Sequence, residues 1–535
     1  MPDVKYVVVT GGVVSGLGKG CATAALGALI ARNKKVVTIK CDGYLNVDPG
    51  TINPYEHGEV YVLEDGGEVD MDFGHYERFL NINCKFSWNI TSGKIFNSLI
   101  TKERKGEFLG KTIQIFPHVI DEVKQWWKRI VQEEQPDFCF IEIGGTVGDC
   151  ENFWFVEAAR QLRSDVGNNN IFYAHLTYVP FLPSVGEPKT KPAQRDVALL
   201  REKGIIPDVL LCRSTTPLED KIKSKLALFC NLESRQVVSV PDVKTIYELP
   251  LVLKRDGVLA IVQEKLAISA GDLTRWEKLV TTILNPHDRV TIALCGKYTD
   301  LRDSYASVVE ALVHAGAHLN CGIDVTLVET TSVAAEQFAD LHAHGILVPG
   351  GFGSRGVEGK ITIIQHAREK RIPYLGICLG LQLAVIEFAR NVCGLAGANT
   401  TEIDQNTPHP VVTFLPGQTE HTAKGGTMRL GACTSQLVQE SLVAHLYQKE
   451  TAVERHRHRY EVNPAYHRQF TTHGMVLSGL TPEKQLVEFI ELPNHPYFVA
   501  TQAHNEFTSR LEQPNPLFLG FVQAALAYKK AGRIL

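Results

Sequence analysis

The segment from Lys5 to Lys40 constrains the fold most. It reads KYVVVT, a glycine-rich stretch from Gly11 to Gly20, CATAALGALIARNKK and VVTIK. A β-branched run, a glycine loop, an Ala/Leu segment at helical spacing and a second β-branched run predict strand, loop, helix, strand. Such a unit opens a parallel α/β sheet. In GGVVSGLGKG the glycines free backbone N–H groups to face phosphate oxygens at a helix N-terminus, and Lys19 reaches a β- or γ-phosphate. The loop departs from the pattern Gly-x4-Gly-Lys-[Ser/Thr]. Gly20 takes the hydroxyl position, and Gly12 to Gly18 is one residue too long. The plainer alternative is a glycine turn that packs a helix on a sheet.

Further strands are expected at FCFIEIGG, IFYAHLTYVP, DVLLCR and VVSV. Between Asp42 and Gly110 a polar, Gly-rich stretch carries few regular signals and reads as a functional insertion. SAGDLTRWEKLVTTILNPHD predicts a helix leading into Asn285-Pro286, after which RVTIALCGKY, VETTS, GILVPGG and RIPYLGI restart a strand pattern. The division expected is residues 1–270, a linker at 271–289, and a second α/β unit at 290–535. A chain of 535 residues, 44% hydrophobic and 21% charged, buries full-sized cores and excludes disorder as the main state. A formal net charge of -4 argues against a dedicated nucleic-acid or membrane-surface binder. The 12 Cys are scattered without a Cys-x-x-Cys pair, so neither a zinc site nor a disulfide framework is expected. There is no signal-peptide pattern and no apolar run of about 18 residues, so a soluble cytoplasmic protein is expected.

A metal accompanying the phosphate loop needs hard oxygen ligands from elsewhere. Asp70-Met-Asp72 in the insertion and Glu142 at the end of FCFIEIGG are the candidates; taken singly, each also reads as an ordinary acid. Glu187-Pro-Lys189-Thr-Lys191-Pro-Ala-Gln194, followed by Arg195, is a stiff basic loop suited to a second polyphosphate, or a solvated turn.

In the second half, RIPYLGI-Cys378-LGLQLAVIEFARN reads strand, Cys, helix, and Gly376-Ile-Cys378-Leu-Gly380 has the form Gly-x-nucleophile-x-Gly. Flanking glycines permit the sharp turn that exposes a nucleophile, and a helix N-terminus favours a thiolate. A small buried hydrophobe at a tight turn is the alternative. FVATQA-His504-Asn-Glu506 offers a base and an orienting acid. In Glu454-Arg-His-Arg-His-Arg459 the interleaved charges disfavour a metal on the His-x-His pair, and Arg459 suits a carboxylate clamp. The glycines of Leu347-Val-Pro-Gly350-Gly351-Phe-Gly could supply oxyanion-hole N–H groups.

With these residues in view, the chain resembles the CTP synthases over essentially its whole length. TGGVVSGLGKG, NVDPGT, HGEVYVLEDGGEVDMDFGHYERF, EIGGTVGD, HLTYVP, KTKPAQ, LVPGGFGSRGVEGK, YLGICLGLQLA, GGTMRLG and ERHRHRYEVN follow that family's pattern in order. The resemblance implies two doubly wound parallel-sheet α/β domains, a P-loop-like amidoligase followed by a class I glutaminase. It implies that ATP phosphorylates the 4-oxygen of UTP, and that ammonia from glutamine displaces the phosphate to give CTP. Mg2+ accompanies ATP, GTP activates, CTP inhibits, and the assembly is a homotetramer able to form filaments.

By the same resemblance, Gly16, Leu17, Gly18, Lys19, Gly20, Cys21, Lys40 and Asp72 match ATP positions, with Pro241, Asp242 and Val243 at the adenine rim. Asp72 and Glu142 match the Mg2+ ligands. Ser15, Lys189, Thr190, Lys191, Pro192, Ala193, Gln194 and Lys225 match positions holding UTP or CTP, and Asp149, Cys150 and Glu151 the CTP base pocket. Cys378, His504 and Glu506 match the triad, and Gly351, Leu379, Gly380, Leu381, Gln382, Glu402 and Arg459 the glutamine site. Three departures stand out. Asn505 occupies the usual proline position, the stretch FLPGQTEHTAK is shorter than a lid linked to GTP in some members, and Gly43 stands where proline is common, read as a loop change without consequence. The rivals are another fused amidoligase and glutaminase, such as a cobyrinic acid amidating enzyme, a filament-forming structural paralogue, and a partitioning-type nucleotide switch.

Overall fold

The structure is a computed structural model describing residues 4–50, 52, 58–184, 186–269, 271–297, 302–331, 342–414, 428–482 and 486–532. The chain forms two compact units. The first comprises Met1–Pro49 and Asp72–Glu277, the second Gly50–Met71 and Lys278–Leu535. The grouping thus differs from a simple division near residues 270–290, because Gly50–Met71 belongs with the second unit.

The first unit is built on a seven-stranded sheet. Its strands are β1 (Lys5–Gly11), β2 (Val36–Asp42), β3 (Asn89–Thr91), β4 (Phe138–Ile143), β5 (Ile171–Tyr178), β6 (Val209–Ser214) and β7 (Val237–Pro241). They are ordered β7-β6-β5-β1-β4-β2-β3, and every pair is parallel. Parallel strands are covered on both faces, which is why they read as continuous apolar runs. β2 and β4 are buried at every position. Helix α1 (Lys19–Ile30) is small-residue-rich and buried at all positions but Cys21, so it packs as a plain cylinder rather than an amphipathic one. The chain's order in space reverses at β1, and open α/β sheets bind ligands beyond the carboxyl ends of strands at such a point.

The expectation of little regular structure between Asp42 and Gly110 is corrected here. That stretch holds helix α2 (Asp72–Leu80), β3 and a helix at Ser92–Arg104. The short segment DFGHYERFL gives a weak helical signal. It is held by burial of Phe73, Tyr76 and Phe79, a tertiary effect that overrides propensity. Helices α3 (Phe153–Val166) and α4 (Lys191–Glu202) complete the elements used below.

The second unit carries a nine-stranded sheet. Its strands are β8 (Asp288–Gly296), β9 (Cys321–Glu329), β10 (Gly345–Val348), β11 (Tyr374–Ile377), β12 (Arg429–Leu437), β13 (Thr451–His458), β14 (Val476–Leu480), β15 (Val487–Glu491) and β16 (Phe498–Thr501). The order is β9-β8-β10-β11-β16-β15-β14-β12-β13. The five strands from β9 to β16 are parallel, as expected, and the remaining four extend the sheet antiparallel. Helices α5 (Ala306–Leu319), α6 (Val357–Lys370), α7 (Leu379–Asn391) and α8 (Pro516–Lys530) pack on this sheet. None of the 12 Cys forms a disulfide among the described residues. Among the described residues no helix is long and apolar enough to cross a membrane.

Candidate functional site

In the first unit the loop after β1 leads through Gly18, in the left-handed region at φ 94°, into the N-terminus of α1. The absent hydroxyl at position 20 now has a physical reason. A Cβ on Gly20 would lie 1.8 Å from Asp72 Oδ1, so the space a serine would use is filled by a carboxylate from α2. A Cβ on Gly12 would likewise lie 1.7 Å from Asp196 Oδ1 of α4. We expect Gly20→Ser, which restores the common motif, to displace Asp72 and lower ATP-dependent turnover by about tenfold or more, with about 1–3 kcal/mol lost to overpacking. Turnover and melting temperature together check this; an active Gly20→Ser enzyme would contradict it.

Strand register gathers the charged groups. Lys40 on β2 lies directly opposite Glu142 on β4. The Lys40 ammonium pairs with Asp72 and lies 3.5 Å from Asp42 and 3.6 Å from Glu142. Glu142, 1% exposed, accepts hydrogen bonds from Tyr76 and from Thr23 Oγ1. Burial pushes its carboxyl up to about 7 against the pull of Lys40. Burial works most strongly on Asp72, to raise it, but Lys40, His75 and Lys19 together outweigh burial and hold that carboxyl below its ordinary value. Lys19 donates to the Gly145 carbonyl at 2.7 Å, and burial lowers its pKa.

These groups fit a hard divalent cation. A protein cation already sits among three carboxylates, and Mg2+ commonly takes one or two carboxylates plus substrate phosphates. No group of three or more His, Cys, Asp or Glu suited to a metal occurs among the described residues.

A cavity of about 310 Å³ opens beside the loop, lined by Gly16, Leu17, Gly18, Cys21, Asp242 and Val243 among others. Pro241 is the buried last residue of β7 just behind it. Ser15 is exposed on the loop. Lys189 pairs with Glu187 at 2.6 Å, and Lys225, exposed on its helix, adds to the field on Glu187. Lys191 and Pro192 begin α4, with Ala193 and Gln194 buried behind them and Gln194 donating to Thr190 Oγ1. Asp149, Cys150 and Glu151 are exposed beyond β4. Asp149 does not cap the following helix; its carboxylate accepts from Thr146 N at 2.8 Å. Gly43 also has a consequence: a Cβ there would meet the Glu151 Cβ at 2.8 Å, so this glycine admits the Glu151 turn.

Sequence reasoning missed a buried chain joining these loops. Thr10 Oγ1 lies 2.8 Å from His175 Nδ1, and His175 Nε2 lies 3.0 Å from Asp196 Oδ2. The chain links the end of β1 to α4 through the middle of β5. KYVVVT and HLTYVP showed strands, but only the parallel register Thr10↔His175 places the two polar side chains side by side.

In the second unit, β11 pairs with β16 in the register Ile377↔Thr501, which brings Cys378 beside the His504 segment across 126 residues of sequence. Cys378 sits at φ 53°, ψ -102°, a strained conformation for a residue with a side chain, and caps α7. The flanking glycines are steric necessities. A Cβ on Gly380 would lie 2.2 Å from the Val348 carbonyl oxygen, and one on Gly376 2.6 Å from Tyr374 Oη. His504 Nδ1 lies 2.8 Å from Glu506 Oε1. Cys378, His504, Glu506, Gly350 and Gly351 line one cavity of about 120 Å³ together with Arg457 and with Glu59 and Val60. The last two come from the segment between Asp42 and Gly110, a contribution with no local sequence signal.

Leu379, Gly380, Leu381 and Gln382 form the buried first turn of α7. Gln382 Nε2 donates to the Tyr460 carbonyl at 3.0 Å, and Glu402 accepts from Gly353 N at 2.8 Å, two residues beyond Gly351. Arg459 lies at the bend after β13. His456 and His458 are buried and bonded to each other at 2.9 Å. The stretch FLPGQTEHTAK lies outside the described residues beyond Phe414.

Burial disfavours a charge on His504, yet Glu506 and Cys378 outweigh it and lift its pKa to about 10. His504 therefore keeps its proton at neutral pH and loses it as pH rises through about 10. We expect Glu506→Gln to shift the alkaline fall of glutamine hydrolysis down by roughly one pH unit or more, because the raising charge is gone. An unmoved alkaline limb would contradict this reading.

Residues 5–268 match the family described as "CTP synthase N-terminus", and residues 300–524 match "Glutamine amidotransferase class-I". The chain is 51% identical to a CTP synthase of Methanocaldococcus jannaschii over 99% of this chain and 100% of that protein. It is 51% identical to a CTP synthase of Methanococcus maripaludis, covering 98% and 100%. A CTP synthase of Caldanaerobacter subterraneus subsp. tengcongensis is 51% identical, covering 98% and 99%. With both nucleophile and phosphate loops assembled and the likeness running the whole length, the chain belongs to the CTP synthase family.

Proposed function

We propose that the protein is a C–N ligase that aminates UTP to CTP, using ATP and the amide nitrogen of glutamine. The observation that carries this reading is the presence, in one chain of the CTP synthase family, of a lysine-bearing phosphate loop with buried carboxylates and a strained cysteine with its His–Glu partners.

ATP lies with its phosphates along Gly16–Cys21, contacted by Lys19 and Lys40, and its base in the cavity edged by Asp242 and Val243. Asp72 and Glu142 would hold Mg2+, which when bound would neutralise charge on the transferred phosphoryl group. UTP is held by Ser15, Lys189 to Gln194 and Lys225, so that its 4-oxygen attacks the γ-phosphate with loss of ADP, and the phosphate so formed leaves when ammonia attacks the ring carbon. CTP shares the triphosphate positions and uses Asp149 to Glu151 for its base.

In the second unit the Cys378 thiolate attacks the glutamine amide carbon, the C–N bond breaks as His504 gives its proton to the departing ammonia, and water, giving a proton back to His504, cleaves the resulting thioester to glutamate and the free thiolate while Glu506 holds the imidazole. Glycine N–H groups around Gly351 and the first turn of α7 stabilise the oxyanion. Gln382, Glu402 and Arg459 orient the amino acid. The residues thus divide into an amidoligase and a glutaminase. GTP acts as activator and CTP as inhibitor of a cytoplasmic homotetramer able to form filaments.

The test is CTP formation from UTP and ATP with glutamine or with ammonium as nitrogen donor. Amination with both donors is expected; ATP consumption with no UTP requirement would overturn the reading.

A further inference from the structure

Asn505 lies between His504 and Glu506. It is fully buried. Its Nδ2 lies 2.7 Å from Tyr447 Oη, and Tyr447 Oη lies 2.5 Å from Glu454 Oε1. The single phenolic proton goes to the carboxylate, so the oxygen accepts from Asn505, which fixes the orientation of the amide. Glu454 also accepts from Asn515 Nδ2 at 2.9 Å and from Thr508 Oγ1 at 2.7 Å. Thr508 Oγ1 lies 3.0 Å from the Asn505 carbonyl oxygen. Glu454 precedes Arg455 on β13, and the Arg455 carbonyl accepts from His504 N at 2.7 Å. The next carbonyl on that face of β13, Arg457, lies 4.0 Å from Cys378 Sγ.

The carboxylate of Glu506 meets His504 through Oε1, and among the described residues its buried Oε2 has no hydrogen-bond partner. Its position therefore follows from the backbone of the turn at Asn505–Thr508. Proline would set that turn through its fixed φ. Asparagine has no such restraint.

We propose that Asn505, Tyr447 and Glu454 form a side-chain clamp that positions the His504–Glu506 turn for glutamine hydrolysis. The clamp ties four elements to one carboxylate: the turn, the helix Leu442–Tyr447, the strand whose carbonyls meet His504 and Cys378, and the start of α8, where Asn515 caps by accepting from Leu517 N. Asn505 and Tyr447 are positioning residues; neither lines the cavity that holds Cys378.

The test uses the full-length enzyme and four variants: Asn505→Ala, Tyr447→Phe, Asn505→Pro, and the double variant Asn505→Pro/Tyr447→Phe. Small misplacements of a reacting group cost rate steeply. Asn505→Ala and Tyr447→Phe should each lower glutamine-dependent kcat about tenfold, with the glutamine KM within about twofold and ammonium-dependent CTP formation unchanged. In the Asn505→Pro background the ring supplies the restraint, so adding Tyr447→Phe should cost less than about twofold. If Tyr447→Phe disturbs folding, Asn505→Ala, which leaves the Tyr447–Glu454 bond in place, carries the test alone. Parallel losses with both nitrogen donors, unchanged glutamine kcat in Asn505→Ala, or an equal cost of Tyr447→Phe in both backgrounds would overturn the proposal. If neither donor gives CTP even in the unaltered enzyme, the functional reading fails instead.

Discussion

Replacing Cys378 by alanine is expected to lower glutamine-dependent CTP formation by more than about 10³-fold while leaving ammonium-dependent formation largely intact. The thiol stands on a turn whose φ of 53° is maintained by close packing on both sides, at the end of β11 and the start of α7. Alanine keeps that geometry and removes only the nucleophile. The groups proposed for phosphoryl transfer, Lys19, Lys40, Asp72 and Glu142, all lie in the first unit, whereas Cys378 lies in the second. Measuring both donors on one preparation isolates the effect. Equal loss of the two activities would show that the cysteine supports the amination step itself.

Lys19→Ala should abolish turnover with either donor, by roughly 10²–10³-fold, because the phosphoryl group must be activated before any nitrogen arrives. Lys19 is 8% exposed and donates to the Gly145 carbonyl, which holds its side chain in place. Its removal also leaves the Asp72–Glu142 pair with one cation fewer, and a weakened response to Mg2+ should accompany the loss. Near-normal ammonium-dependent turnover in this variant would remove Lys19 from the phosphate site.

Both loops were legible in the sequence because each requires a local code. Glycines stand where a Cβ would collide, at Gly12, Gly20, Gly376 and Gly380, and they bracket one chemical residue. The apolar runs of β1, β2 and β4 were equally legible, since parallel strands hide both faces. What could not be read were pairings set by register. Thr10 with His175, Lys40 with Glu142, and Asp72 with the bare face of Gly20 are neighbours only after the sheet is assembled. Helix α2 escaped notice because its aromatic residues are stabilised by tertiary burial rather than by helical propensity. The sharing of Gly50–Met71 with the second unit was invisible for a related reason: a short hairpin at Tyr61–Val62 and Glu68–Val69 is anchored from far along the chain. Arg455 donates to the Val62 carbonyl and Arg457 to Glu68. The Asn505 substitution was visible as a departure, but its partner Tyr447 lies 58 residues away with no motif of its own.

One isotope experiment addresses the proposed chemistry in a single reaction. The enzyme is given UTP carrying 18O at the 4-position, ATP, Mg2+ and glutamine labelled with 15N in its amide. Activation of the 4-oxygen in the first unit and delivery of ammonia from the second should place 15N in CTP and 18O in inorganic phosphate, one of each per turnover. Recovery of the 18O in water, or unlabelled nitrogen in the product, would contradict phosphorylation of the uracil oxygen or supply by the Cys378 site.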